Sequence, residues 1–225
     1  PLPAPYLQAT RAWLEQTLDP SIVYGSGLQV FTAMDVVAQR ATERSVPEGL
    51  RFLETSVGRR GAAPLEAASA MISPETGLLV AAWGGSQDLP TDFNRATQAR
   101  RQSGSSIKPL VYAMAFSRLD GSGMPTWRAH HTVRNDRHVF KDSDGWFPRN
   151  VGGKYTATTT LAMGLAWSQN VAAASLLEEL GGPRAFIEFA HGMGFETVGW
   201  REELGLALGS GETNPLEMAR FVATV

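Results

Sequence analysis

Cysteine is absent from the 225 residues of this chain, which excludes disulfide cross-links, thiolate zinc sites and cysteine nucleophiles. The redox compartment is left open by the same absence. Lysine is scarce: Lys108, Lys141 and Lys154 are the only ones. No apolar run approaches the ~20 residues of a membrane-spanning helix. The opening PLPAPYLQ lacks the pattern of a signal peptide, so any export signal or anchor of a parent protein is expected outside this chain. A strong charge of either sign is also missing. The net charge of −2 gives no electrostatic reason to expect nucleic acid or an anionic membrane as partner. The four histidines, His130, His131, His138 and His191, stand in no metal-like pattern with carboxylates, and there is no G-x-S-x-G, Walker A loop or G-x-G-x-x-G. Neither metal nor cofactor is expected.

What is present describes a globular protein with a substantial core, 43% apolar and 19% charged, for which one domain with a small appendage is a reasonable size. Apolar periodicity predicts an amphipathic helix over Tyr6–Leu18, a short strand over Leu28–Thr32, and a helix capped by Asp35 from Val36 to about Val46, ahead of Pro47. A loop is expected over Gly58–Pro64. Two apolar runs, Ala67–Ile72 and Leu78–Trp83, flank Ser73-Pro74-Glu75-Thr76-Gly77 and predict a hairpin. Arg128–Asn150 is polar and aromatic with little periodicity, suiting a surface hairpin or insertion. Helices are predicted over Thr159–Ala166, Val171–Leu180 and Arg184–Met193, and from about Pro215. The fold class is α/β in the broad α+β sense, with helices dominating. Both ends look cut: the first residues read as a proline-rich linker and the last as a helix stopped in mid-course.

One stretch carries chemistry. In RRQSGSSIKPLVYAMAFSR, Arg100 to Arg118, Ser105 and Lys108 stand three residues apart at the mouth of an apolar helix. Residues three apart share a helix face. Pro109 is harmless only in a first turn, so the helix is expected to start within about a residue of Ser105 or Ser106. That places the Ser105 hydroxyl at the positive end of the helix dipole, and Lys108 against Leu110, Val111, Met114 and Phe116. Desolvation lowers a lysine's pKa, and a neutral amine beside a serine makes an activated nucleophile. The bland alternative is a chance S-x-x-K on a buried helix.

A second cluster, Ser168-Gln169-Asn170, lies between two predicted helices and is the only S-x-N in the chain. Serine and asparagine suit interhelical turns on their own account. A hydroxyl and an amide at such a junction can also project into a cleft, where Ser168 could pass a proton and Asn170 could hold a substrate amide or the Lys108 amine.

The surroundings of both motifs resemble one family. FNRATQARRQSGSSIKPLVYAMA (Phe93 to Ala115) is similar to the nucleophile segment of the transpeptidase domain of class A, bifunctional penicillin-binding proteins. WFPRNVGGKYTATTTLAMGLAWSQNVAAASLLEELG (Trp146 to Gly181) resembles the segment running into their second motif. LALGSGETNPLEMARFVATV, GLQVFTAMD and SPETGLLVAAWGG extend the resemblance over nearly the whole chain. It implies a fold like that of penicillin-binding proteins and serine β-lactamases, with residues 1–65 as linker between a glycosyltransferase and a transpeptidase domain. Residues 66–225 would be the N-terminal and helical part of the latter, without its C-terminal sheet strands. It implies that Ser105 attacks the D-Ala-D-Ala carbonyl of a peptidoglycan stem peptide, with its backbone N–H as half of an oxyanion hole. Lys108 would take the proton, Ser168 relay it and Asn170 position the substrate. β-Lactam antibiotics would acylate Ser105. The parent protein would be membrane-anchored through a segment missing here and act on the extracytoplasmic face of a bacterial membrane.

The family's third motif, K-T-G, has no counterpart: Lys108, Lys141 and Lys154 precede Pro109, Asp142 and Tyr155. The resemblance therefore implies a catalytically incomplete chain. A serine β-lactamase would need a deacylating base, and none is recognisable. A penicillin-binding sensor or scaffold without turnover is the non-enzymatic alternative.

Overall fold

The computed structural model describes residues 4–57, 64–85, 93–140 and 145–225. Most of the expected loop at Gly58–Pro64, residues 1–3 of the proline-rich start and Lys141 lie outside them. The chain divides into two compact units, one comprising Pro1–Ala99 with Asn214–Val225 and the other Arg100–Thr213.

The first unit opens with α1 (Ala4–Thr17) and the short α2 (Pro20–Gly25), which Asp19 caps through the Ser21 N–H. α3 (Val36–Val57) starts where expected, because Asp35 Oδ1 accepts from the Val37 and Ala38 N–H groups at 2.8 and 3.0 Å. It does not stop before Pro47 but continues ten residues past it, to Val57. The proline ring's fixed φ suits a helix, and only the N–H of one turn is lost. Packing of α3 on the neighbouring strand β2 (Leu79–Trp83) outweighs that loss. Buried Gln39 fixes the docking: its amide donates to the Ala82 carbonyl at 3.0 Å and accepts from the Ala82 N–H at 2.9 Å, completing a rung on the strand. β1 (Ser69–Ile72) pairs antiparallel with β2 as the predicted hairpin, from Ser69 opposite Trp83 to a bulge at Met71 and Ile72. The strand expected over Leu28–Thr32 does not form. Its β-branched and aromatic residues find no ladder partner among the described residues, and Phe31 is 92% exposed.

In the second unit β3 (Arg101–Gln102) leads into a 3₁₀ turn, Gly104–Ile107, and then α4 (Lys108–Phe116). Among its described residues, the stretch Arg128–Asn150 pairs with a strand outside itself rather than as a hairpin. It contributes β4 (Thr132–Arg134), which pairs antiparallel with β5 (Thr158–Thr160). Thr159 and Thr160 thus belong to this strand and not to the helix predicted over Thr159–Ala166. Their β-branched side chains suit the strand, and Thr160 then caps α5 (Leu161–Ala166) by accepting from the Met163 N–H. α6 (Asn170–Glu179) is the core of this unit: every residue from Val171 to Leu177 is buried. Its alanines Ala172, Ala173 and Ala174 admit close neighbours, and α4, α5 and α7 (Gly182–Gly192) all pack on it. Arg118, after α4, donates to the Leu180 carbonyl at the C-terminal end of α6, a cation at the negative end of the helix. A 3₁₀ turn, Leu204–Leu208, and β6 (Glu212–Thr213) follow, and β6 pairs antiparallel with β3. The chain then returns to the first unit as α8 (Pro215–Thr224), capped by Asn214 and packed on β1. Among the described residues all the ladders are antiparallel and short, so the fold is helix-rich α+β.

Candidate active site

Pairing of β3 with β6 brings the turn at Gly209 against Gly104. A side chain at Gly209 would place its Cβ 2.2–2.7 Å from Gly104 backbone atoms, so only glycine fits. Gly104 itself has φ +55°, in the left-handed region, which turns the chain sharply into the Ser105 turn. Ser105 is exposed on this turn, and its carbonyl accepts from the Lys108 N–H.

Lys108, the first residue of α4, is by contrast 1% exposed. Its Nζ donates to the Ser168 carbonyl at 2.6 Å, to Ser168 Oγ at 2.9 Å and to Asn170 Oδ1 at 2.6 Å. Three acceptors match the three N–H bonds of an ammonium. None of them is charged, and burial pushes the pKa down from the usual 10.5 to about 8. The structure thus brings together Lys108, Ser168 and Asn170, and places the exposed Ser105 hydroxyl one helical turn from the lysine. Among the described residues, no side-chain hydrogen bond joins the Ser105 hydroxyl to these three.

The junction between α5 and α6 holds Ser168 in an unusual conformation. Its φ of +49° makes it the one non-glycine residue with positive φ among the described residues. The Ser168 N–H donates to the Leu165 carbonyl and the Gln169 N–H to the Gly164 carbonyl, which closes α5 in a left-handed turn where glycine is the usual occupant. Serine there supplies both a carbonyl and a hydroxyl to Lys108. Asn170 begins α6, and its Nδ2 donates to the Arg149 carbonyl at 2.7 Å, which leaves Oδ1 for the lysine.

Arg149 and its neighbours belong to the stretch expected to be a surface feature. Asn135 and Asn150 within it are buried and joined by a 2.9 Å hydrogen bond. No periodicity in sequence signals this, because polar residues buried by mutual hydrogen bonding follow no apolar pattern. Two tryptophans lie in these segments, and Trp167 is 70% exposed beside Ser168. Trp146 packs on the cluster of Phe140, Val171 and Ala174. The Arg100–Arg101 pair is structural: Arg100 donates to the Glu196 carbonyl at 2.7 Å, and Arg101 lies in β3.

Chemically, the arrangement offers an exposed hydroxyl, a buried amine of lowered basicity one turn away, and a second hydroxyl able to accept from the amine or donate to it. That set suits acyl transfer through a serine.

No family model matches the sequence. Penicillin-binding protein 1B of Vibrio cholerae is 29% identical over 222 residues, taking in 98% of this chain and 27% of that protein. Penicillin-binding protein 1A of the same organism is 36% identical over 153 residues, 66% of this chain and 18% of its own length. The chain therefore spans well under a third of these curated relatives. Among solved structures, PonA1 from Mycobacterium tuberculosis in complex with penicillin V superposes with a TM-score of 0.76 at 28% identity, covering 98% of this chain and 57% of that one. The TP domain of Burkholderia pseudomallei penicillin-binding protein 3 matches with a TM-score of 0.63 over 88% of this chain and 58% of that one. At 17% identity, it speaks for the fold alone.

Proposed function

We propose that this chain, whose relatives are class A penicillin-binding proteins and whose fold is that of their transpeptidase domains, carries the acylating centre of a D,D-transpeptidase that cross-links peptidoglycan stem peptides. The observation that carries the reading is the buried Lys108 amine, held by Ser168 and Asn170 one turn from the exposed Ser105.

In this reading Lys108 must first lose a proton. As a neutral amine it keeps two N–H donors, for the Ser168 carbonyl and Asn170 Oδ1, and gains a lone pair. Ser168 Oγ alone among the three partners can reverse its hydrogen bond and donate to that lone pair. When substrate binds, the lone pair takes the Ser105 proton while Oγ bonds to the carbonyl carbon of the penultimate D-alanine. The Ser105 backbone N–H faces the oxyanion. As the tetrahedral intermediate collapses, the C–N bond breaks. The Lys108 ammonium returns its proton through the Ser168 hydroxyl to the departing nitrogen, and D-alanine leaves. The amine of a second stem peptide then attacks the acyl-enzyme, completing a cross-link and restoring Ser105. A β-lactam opens along the same route, but its leaving nitrogen stays tethered in the adduct.

The same reading places the parent protein at the outer face of the cytoplasmic membrane, anchored and joined to a glycosyltransferase domain by sequence beyond this chain. Residues 1–65 serve there as the linker region. Among the described residues, no helix is long and apolar enough to cross a membrane. A K-T-G motif is absent from the sequence, so acylation by the isolated chain should be slower than by the full-length protein. The test combines two assays on the full-length protein: a fluorescent penicillin, for acylation of Ser105, and D-alanine release from a pentapeptide. Acylation without D-alanine release would indicate a sensor and overturn the enzymatic reading.

A further inference from the structure

An asparagine amide can be turned over without changing its shape, so a neighbouring partner must decide which end meets the lysine. For Asn170 that partner is the Arg149 carbonyl, which accepts from Nδ2 and leaves Oδ1 on Lys108. What fixes the Arg149 carbonyl is the next residue. Asn150 is only 5% exposed and uses both ends of its amide: Oδ1 accepts from the Val171 N–H at 3.1 Å, while Nδ2 donates to Asn135 Oδ1 at 2.9 Å and to the Lys154 carbonyl at 3.0 Å. Asn135, fully buried, donates in turn to Thr156 Oγ1 at 3.0 Å.

Val171 is the second residue of α6, and its N–H belongs to the first turn, where a helix cannot satisfy its own donors. Gln169, at the capping position, makes no side-chain cap. The helix that presents Asn170 is thus capped from outside, by a residue 21 positions upstream. We infer that Asn150 is a positioning residue for the acylating centre. By clamping residues 149–150 to the first turn of α6, it sets the Arg149 carbonyl against Asn170 and keeps the Asn170 oxygen on Lys108. The inference rests on the functional reading of Ser105 and Lys108 given above.

A buried asparagine that merely fastened a loop would behave differently in a double-mutant cycle. The experiment is the rate of acylation by a penicillin, followed against pH, in the full-length protein and its Asn150→Ala, Asn170→Ala and doubly substituted forms. Asn150→Ala should slow acylation by about 10- to 100-fold, the scale of a small misplacement in a catalytic group. The double variant should lie within about threefold of Asn170→Ala alone, because both changes remove one contact. The pH midpoint should fall in both single variants, since an acceptor of the charged amine is lost. Asn150→Asp keeps an oxygen for the Val171 N–H but has no donor for Asn135 and Lys154, and should likewise slow acylation; its new carboxylate pulls the Lys108 midpoint upward, so the midpoint is read from the alanine variants. Should either Asn150 variant be unfolded by circular dichroism, the cycle is completed with the other. Losses that multiply in the double variant, or an unmoved midpoint, would overturn the inference. Failure of the unsubstituted protein to acylate would instead overturn the functional reading itself, and is recognised without any variant.

Discussion

Ser168 carries two demands on one residue. Its φ of +49° costs an L-residue roughly 1 kcal/mol relative to glycine, yet glycine would have no hydroxyl for Lys108. Ser168→Gly should therefore be more stable than Ser168→Ala by about 1 kcal/mol in urea unfolding, while both acylate far more slowly than the unsubstituted protein. Lys108 gives a second prediction at this scale. Its folded pKa of about 8 lies below the usual 10.5, so below pH 8 both folded and unfolded states hold the proton and the cost of burying the charge is fully present. Between about 8 and 10.5 the folded state releases the proton while the unfolded state still binds it. Stability measured against Lys108→Met should rise across that window. Acylation of Ser105 should climb through the same midpoint near 8. A flat stability difference from pH 7 to pH 10.5 would contradict the assignment.

At the scale of elements, Gly209 is, among the described glycines, the one whose Cβ would strike backbone most closely, at Gly104, and its own φ is +85°. Gly209→Ala should destabilise by about 2–4 kcal/mol in urea unfolding and displace the Ser105 turn, lowering acylation in the fraction that remains folded. Pro47 offers the opposite case. It sits inside α3 with no N–H to give, so Pro47→Ala should stabilise the protein by roughly 1–3 kcal/mol, read as a higher urea midpoint. These two positions also show what sequence could reveal. Pro109 located the nucleophile turn because its constraint is local, and Asp35 marked the start of α3 for the same reason. The end of α3 was not legible, because packing on β2, a tertiary effect, overrides the local cost of Pro47. The strand expected at Leu28–Thr32 failed for the complementary reason: β-propensity makes a strand only where a partner ladder exists.

For the whole molecule, the two motifs proposed to hold the chemistry stand out in the sequence because Ser105 with Lys108 and Ser168 with Asn170 are short, fixed in spacing and unique in the chain. Their meeting across 60 residues is a consequence of α4 packing on α5 and α6. The shell behind them was not legible. Asn135, Arg149 and Asn150 come from a stretch without periodicity, and their value lies in hydrogen bonds to one another and to α6. The central claim is that Ser105, with Lys108 behind it, is the residue that becomes acylated. The most direct measurement is intact-mass and peptide mass spectrometry of the full-length protein after exposure to a penicillin. The account predicts one adduct of the penicillin's mass, mapped to the peptide containing Ser105 and absent in Ser105→Ala. No adduct on the unsubstituted protein, or an adduct that persists in Ser105→Ala, would contradict it.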